Sequence, residues 1–143
     1  MADNISGRVL MAEALATTAA GTSTITGTEV DMQNYEGVLF IAKFGTAAAD
    51  NTLHAEQDTV TGMASAADLI GTETVGGASD EIMWLEIHKP LERFVRVMAD
   101  RGTSSTLDWG VSIKYGGKKF PADNTTSGTI YGELHVSPAE GTK

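Results

Sequence analysis

Three pairs of histidine and carboxylate residues have types and spacing that could support metal chemistry. One residue separates the two members of each pair: His54/Glu56, Glu86/His88 and Glu133/His135. Residues two apart on a β-strand project from the same face, so each pair could offer two ligands to one metal ion. The compact His-x-His and downstream Glu of jelly-roll metalloenzymes are missing. We therefore interpret the pairs as polar surface or cross-strand elements and predict no metal site.

The sequence gives little support for nucleophilic or phosphate chemistry. It contains no cysteine and three histidines, and no serine stands in a Gly-x-Ser-x-Gly elbow. The segment Gly116–Phe120 (GGKKF) resembles a phosphate-binding loop only superficially, because it lacks the first-Gly spacing and the Ser/Thr after Lys. We expect no catalytic and no cofactor-binding residue, and therefore a protein that is not an enzyme.

Three other features have both a structural and a functional interpretation. The first is a basic cluster that consists of Lys114, Lys118 and Lys119. It is either a solvated turn or a contact for an acidic partner. Asn4 and Asn124 begin triplets that match glycosylation acceptors, but such triplets are common by chance. We therefore assign no modification to them.

Four aromatic residues could form a sugar-binding platform on a β-sandwich: Trp84, Trp109, Tyr115 and Tyr131. Trp109 and Tyr115 alternate in phase with the apolar residues of their segment, which predicts core positions for both. Trp84 shares its face with Ile82, Glu86 and His88, which predicts partial exposure. A carbohydrate-binding module therefore remains an alternative function.

Composition predicts a folded acidic domain. The chain has 143 residues, 41% of them hydrophobic, with 16 glycines and a net charge of −9. Residues 1–88 carry 2 basic and 13 acidic side chains, whereas residues 89–143 carry 8 and 6. Nucleic acid and anionic membranes repel such a chain, so we expect neither as a partner. No signal peptide or membrane-spanning run is recognisable, which predicts synthesis in a cytoplasm.

The apolar pattern predicts one all-β domain, an antiparallel β-sandwich, jelly-roll or barrel, with seven or eight strands. The predicted strands are Gly37–Phe44, Asn51–Gln57, Ile82–His88, Arg93–Ala99, Thr106–Tyr115 and Ile130–Val136. The strand from Thr106 is predicted to bury Leu107, Trp109, Val111, Ile113 and Tyr115.

The remaining segments are less regular. Residues 8–16 fit a strand or a short helix, and residues 17–28 suit extended chain. Residues 45–51 could close a hairpin between Gly37–Phe44 and Asn51–Gln57, and residues 58–81 read as a long loop with one helical turn near 65–70. We expect a β core over residues 8–136 between a flexible arm, 1–7, and a flexible tail, 137–143.

Four segments resemble a family of small virion proteins of tailed bacteriophages, the capsid decoration or cement proteins. They are Val30–Phe40, then His54–Asp58 with Gly62–Asp68, then Trp84–Arg96, and finally Ile113–Pro121 with Ser137–Thr142. The third (WLEIHKPLERFVR) is the strongest, and the residues before Val30 fit least well. These are strand and turn patterns rather than active-site motifs.

The resemblance implies a β-rich protein that sits as a trimer on the outer surface of the phage head. The implied partner is the major capsid protein, and the implied role is to stabilise the shell against packaged DNA. A head-fibre or tail component is the nearest alternative. Flexible ends that order on docking would suit such a clamp, so residues 1–7 or 137–143 are expected to mediate attachment.

Overall fold

The computed structural model describes residues 4–117, 124, 128–133 and 140. Their regular structure is almost wholly β, and the strands form two antiparallel sheets that pack face to face as a single-domain sandwich. The predicted all-β sandwich is thus confirmed. The strands are β1 (Val9–Leu15), β2 (Thr18–Gly21), β3 (Ile25–Thr26), β4 (Val30–Asp31), β5 (Gly37–Phe44), β6 (Asn51–Asp58), β7 (Ala67–Asp68), β8 (Thr74–Gly76), β9 (Ile82–His88), β10 (Phe94–Asp100) and β11 (Ser105–Tyr115).

The first sheet has the order β1-β11-β5-β9, and β2 also pairs with β11. The second has the order β3-β10-β6-β7, with β4 paired to β10 and β8 to β6. The core lies between the two sheets and is apolar. Within the part of the chain that the structure describes, no helix is long and apolar enough to cross a membrane.

Strand β5 forms the centre of the first sheet. Val38, Phe40, Ala42 and Phe44 point into the core and are at most 1% exposed. The outward residues Leu39 and Ile41 are half-buried. A strand covered on one face needs only alternating apolar residues, so the outward Leu39 and Ile41 are more apolar than the sandwich itself requires.

Strand β11 contradicts the predicted phase of alternation. Leu107 pairs with Phe44, but Trp109 pairs with the next residue back, Lys43, so β11 contains one extra residue at a β-bulge. A bulge moves the following residues to the opposite faces. Beyond Leu107 the buried residues of β11 are therefore Gly110 and Ser112. The prediction of core positions for the apolar residues after the bulge was wrong: Trp109, Val111, Ile113 and Tyr115 face outward.

Gly110 fits this arrangement because β1 approaches it closely. A Cβ atom at this position would lie 2.7 Å from Cβ of Leu15. The close contact between β11 and the end of β1 therefore excludes any larger residue.

The predicted hairpin between β5 and β6 does not form. Strand β6 pairs with β10, β7 and β8 in the second sheet, whereas β5 pairs with β11 and β9 in the first. The connection between them crosses from one sheet to the other. Residues Leu53 and Ala55 of β6 then enter the core from the side opposite β5.

The segment after β6 also differs from the predicted loop and helical turn. It contains the short strands β7 and β8, which pair with β6. The carboxylate of Asp58 accepts hydrogen bonds from the backbone N–H groups of Val60 (3.2 Å) and Ser65 (2.9 Å). These bonds hold the turn that returns the chain to β6, and they hold the pKa of Asp58 below its usual range.

The described part of the predicted N-terminal arm is a 3₁₀ helix, Ile5–Gly7, whose N-cap is Asn4. At the other end of the chain, residues 130–133 are irregular rather than in the predicted strand. The rest of that predicted strand, the first three residues and most of the predicted C-terminal tail lie outside the described residues.

Candidate interaction surface

The outer face of the first sheet is the most distinctive surface of the molecule, and we call it the apolar face. Alternation along three adjacent strands places side chains of β9, β5 and β11 on it. The pairing aligns Trp84 with Ile41 and Val111, and Ile82 with Lys43 and Trp109. Its residues are Leu39, Ile41, Lys43, Ile82, Trp84, Glu86, His88, Trp109, Val111, Ile113 and Tyr115.

The centre of the apolar face consists of large hydrophobic side chains in contact with solvent. Trp84 and Ile82 are each 63% exposed, and Trp109 is 38% exposed. Ile41, on β5 between the two tryptophan-bearing strands, and Val111, on β11, are half-buried. Large contiguous apolar areas on a protein surface mark interaction sites.

A hydrogen-bonded group of three side chains closes one end of the apolar face. The Tyr115 hydroxyl donates to Oε1 of Glu86 at 2.5 Å and lies 3.0 Å from Nδ1 of His88. The Tyr115 and His88 rings stack at an interplanar angle of 4°. Burial, followed by the bond to Glu86, raises the pKa of Tyr115 to about 12.

Gly37 makes room for this group. The Tyr115 ring lies directly over Gly37, and a Cβ atom there would overlap the ring. An aromatic side chain that covers a cross-strand glycine contributes to pairing at an otherwise weak position.

Ion pairs close the opposite end of the apolar face. Nζ of Lys43 lies 3.0 Å from the carboxylate of Asp80 and 3.6 Å from that of Asp108. The hydrogen bond and charge of Asp80, with a smaller contribution from Asp108, raise the pKa of Lys43. The face therefore has an apolar centre between two polar ends.

The first histidine–carboxylate pair lies on the outer face of the second sheet. Nδ1 of His54 is 2.8 Å from the Asp100 carboxylate, and Nε2 is 3.3 Å from that of Asp68. His54, Glu56 and Asp68 offer atoms within 4.8 Å of one another, a spacing that a metal ion could use. The Arg96 guanidinium contacts Oε2 of Glu56 at 2.6 Å and 2.7 Å, so a cation there would compete with a guanidinium.

Among the other sequence-predicted residues, Lys114 makes contacts within the fold. Nζ of Lys114 donates to the Asp31 backbone oxygen at 2.9 Å and lies 4.4 Å from the Tyr35 ring centre. Burial lowers the pKa of Lys114. Lys118, Lys119 and His135 lie outside the described residues, and Tyr131 is exposed.

Both asparagines of the glycosylation-type triplets bond to backbone groups. The Asn4 side chain accepts from the Gly7 N–H at 2.7 Å. Asn124 accepts from the Met11 N–H at 2.8 Å, and its amide donates to the Val9 and Ser6 oxygens at 2.8 Å each. Asn124 thereby binds the edge of β1 as a neighbouring strand would.

Sequence reasoning missed most of the apolar face. Trp84 was predicted to be partly exposed, which is confirmed, and Glu86/His88 were recognised as a pair. One sequence signal could have indicated that Trp109 faces outward. Gly110 follows it within the strand, and a glycine inside a strand often marks a bulge. No family model matches this chain, and the search of curated proteins finds no similar sequence.

Proposed function

We propose that this protein is a non-enzymatic structural component of a tailed phage virion, which decorates the outer surface of the head shell as a homotrimer and stabilises it. The observation that carries the proposal is the apolar face, with Ile82 and Trp84 each 63% exposed. Burial of such residues against a partner would remove an unfavourable contact with water. The partner proposed is the major capsid protein.

The mechanical character of the apolar face suits a clamp. Its residues stand on a continuous antiparallel sheet rather than on loops, and the opposite side of that sheet forms the core. A surface fixed in this way loses little conformational freedom on binding. Many such contacts repeated by the symmetry of a shell would give firm attachment through avidity.

The phage assignment comes from the sequence resemblance, and three of the resembling segments contribute to the apolar face. The segment Trp84–Arg96 supplies Trp84, Glu86 and His88, and Ile113–Pro121 supplies Ile113 and Tyr115. The segment Val30–Phe40 supplies Leu39. The resembling segments thus supply much of the apolar face, and they also include parts of β6 and β10 in the second sheet.

Copy number in the virion tests the proposal. Particles of the phage that encodes this sequence would be purified, and the protein would be quantified by mass spectrometry against the major capsid protein. A copy number comparable to that of the capsid protein is expected. A few copies per particle would indicate a head-fibre or tail component, and complete absence would exclude a virion role.

The ends of the chain offer a second test of attachment. We expect deletion of residues 1–7 and 137–143 to weaken binding to shells that lack the protein. Unchanged binding would restrict attachment to the sandwich itself. Thermal unfolding of the truncated chain is the necessary control, because Asn4 caps the 3₁₀ helix that precedes β1.

A carbohydrate-binding module is the alternative function, and one observation favours it: Trp84 and Trp109 are exposed on the same sheet face. Aromatic rings on a flat surface can stack on sugar rings. Under this alternative, Trp84→Ala abolishes retention on a glycan array, while Leu91→Ala, which removes an exposed side chain elsewhere, does not. Under the decoration proposal neither change affects glycan binding.

A further inference from the structure

Strand β9 is an edge of the first sheet, and half of its backbone groups point away from its neighbour. The Lys89 N–H donates to the Glu36 oxygen at 2.7 Å. The β5–β9 pairing continues from there without a register shift. Because such bonds alternate in an antiparallel ladder, residues 83, 85 and 87 bond to β5, and residues 82, 84, 86 and 88 direct their N–H and C=O groups outward.

This edge carries one acidic side chain, Glu86, but lacks most of the usual protection against pairing. Proteins commonly protect an edge with proline, lysine, a bulge or a very short strand. Strand β9 runs for seven residues, contains neither proline nor lysine, and shows no bulge. Among the strands in the described ranges, β5 is its sole pairing partner. Its outward side chains include Ile82 and Trp84, both exposed.

The inward side chains of β9 are also incompletely covered. Met83, Leu85 and Ile87 are 5–9% exposed, whereas the inward residues of β5 are at most 1% exposed. An open groove of about 470 Å³ runs between β9 and β8, and exposed Val75 lines it. An additional strand beside β9 would place its own inward side chains in this groove.

We propose that β9 pairs with β9 of a second copy, antiparallel and centred on Leu85. Even-numbered residues must face one another, because they carry the outward backbone groups, and centring on Leu85 pairs the whole strand from 82 to 88. Met83 then lies opposite Ile87, and Trp84 opposite Glu86.

Charges at the ends of the strand favour this alignment. Glu81 precedes β9 and Lys89 follows it, and both are exposed. Antiparallel pairing about Leu85 places Glu81 of each copy beside Lys89 of the other. A shift of the register by two residues in either direction separates these opposite charges and leaves one end of each strand unpaired.

This contact goes beyond the proposed function, since it does not depend on the identity of the shell. It joins two copies across a two-fold axis and extends the first sheet continuously from one molecule into the next. In a homotrimer it would link neighbouring trimers rather than the subunits of one trimer. Neighbouring trimers on the shell would then be joined to one another as well as to the shell.

Engineered cysteines test both the contact and its register, because the natural chain has no thiol. Ile82→Cys and His88→Cys are purified separately and then mixed under mild oxidation. The expected result is a disulfide-linked dimer in the mixture and little in either variant alone, because identical positions lie as far as about 20 Å apart across the axis. A mixture of Ile82→Cys with Glu86→Cys is the register control and is expected to cross-link weakly.

A second pair of variants measures self-association without cross-linking. Glu86→Pro removes an outward N–H that β5 does not use, and Glu86→Ala removes the same side chain but keeps that N–H. We expect sedimentation to show about tenfold weaker association for Glu86→Pro than for Glu86→Ala, with similar unfolding temperatures.

Two results would overturn the proposed contact. One is a mixture of Ile82→Cys and His88→Cys that cross-links no more than either variant alone or than the register control. The other is equal self-association of Glu86→Pro and Glu86→Ala. Binding of the same variants to phage shells is measured separately, so loss of the contact and loss of the decoration function remain distinguishable.

Discussion

The outer faces of the two sheets differ in how they meet solvent. The first carries exposed tryptophan and isoleucine between two polar ends. The second carries polar and charged side chains that contact one another, as in the contacts of His54 with Asp68 and Asp100. Glu56 and Arg96 form a further pair across neighbouring strands.

We infer from this difference which side of the sandwich would face a partner. The paired groups of the second face already satisfy one another within the chain, so this face gains little from a partner. The first face exposes apolar area that gains from burial. We therefore propose that the attachment side comprises β11, β5 and β9, and that the outer face of β6 and β10 stays in solvent.

The largest expected effect is on stability at the second face. The Arg96 and Glu56 side chains are only 19% and 15% exposed. Arg96→Met leaves the Glu56 carboxylate without its partner and should lower the free energy of unfolding by about 2 kcal/mol. Urea denaturation of the natural chain and of Arg96→Met measures this loss of free energy of unfolding.

The double variant Arg96→Met/Glu56→Met sharpens this prediction. It removes both charges together and should recover most of the loss, because two apolar side chains can replace a buried pair. If the double variant were no more stable than Arg96→Met, the ion pair would not be the cause of the effect.

A second prediction concerns ionisation at the polar end of the apolar face. Burial and the bond to Glu86 raise the pKa of Tyr115 to about 12. Glu86→Gln should lower this pKa while leaving it above its ordinary value, since burial persists. The ultraviolet absorbance of tyrosinate follows the titration, and Tyr115→Phe identifies its contribution. An unchanged titration in Glu86→Gln would contradict the bond.

A third prediction concerns the acid range. Arg93 bonds to both oxygens of Asp31, at 2.9 Å and 2.7 Å. This hydrogen bonding is the main cause that lowers the Asp31 pKa from 3.8 to about 2. A lowered pKa stabilises the fold above pH 3.8 and loses that stabilisation as the pH falls towards 2.

Arg93→Gln should therefore be less stable than the natural chain at neutral pH and should approach it in stability near pH 2. Urea denaturation at several pH values provides the comparison. A stability difference that stays constant down to pH 2 would show that Arg93 does not lower the pKa of Asp31.

The smallest expected effect is the stability change on removing an exposed side chain of the apolar face. Trp84 is 63% exposed, so Trp84→Ser should change the free energy of unfolding by about 0.5 kcal/mol or less. Thermal unfolding measures this change. A large loss would mean that Trp84 supports the fold rather than a contact, and the contrast between the faces would weaken.

Much of the fold could be predicted from local pattern, and the failures have identifiable causes. The β5 and β9 strands follow from alternation and apolar content, and their bounds were predicted correctly. The phase of β11 could not be predicted, because its bulge depends on how Leu107 and Trp109 pair with β5. The pairing of β6 with β10 rather than β5 is likewise a choice between non-local partners.

The same reasons limit prediction of the site. Glu86 and His88 were visible as a pair, but Tyr115 joins them only because the bulge turns it outward. Lys114 reads as a surface cation in the sequence, whereas its Nζ lies over the Tyr35 ring. Each of these relations depends on strand register, which single-strand periodicity does not specify.

The measurement that tests the central claim most directly is binding of face variants to phage shells that lack the protein, followed by cosedimentation. Trp109→Lys places a charge in the apolar face away from the β9 edge, and Thr103→Lys adds the same charge to the exposed β10–β11 turn. We predict that Trp109→Lys weakens binding to the shells by about tenfold or more. Thr103→Lys should bind as tightly as the natural chain. Natural binding by a folded Trp109→Lys variant would contradict the assignment of this face to the shell.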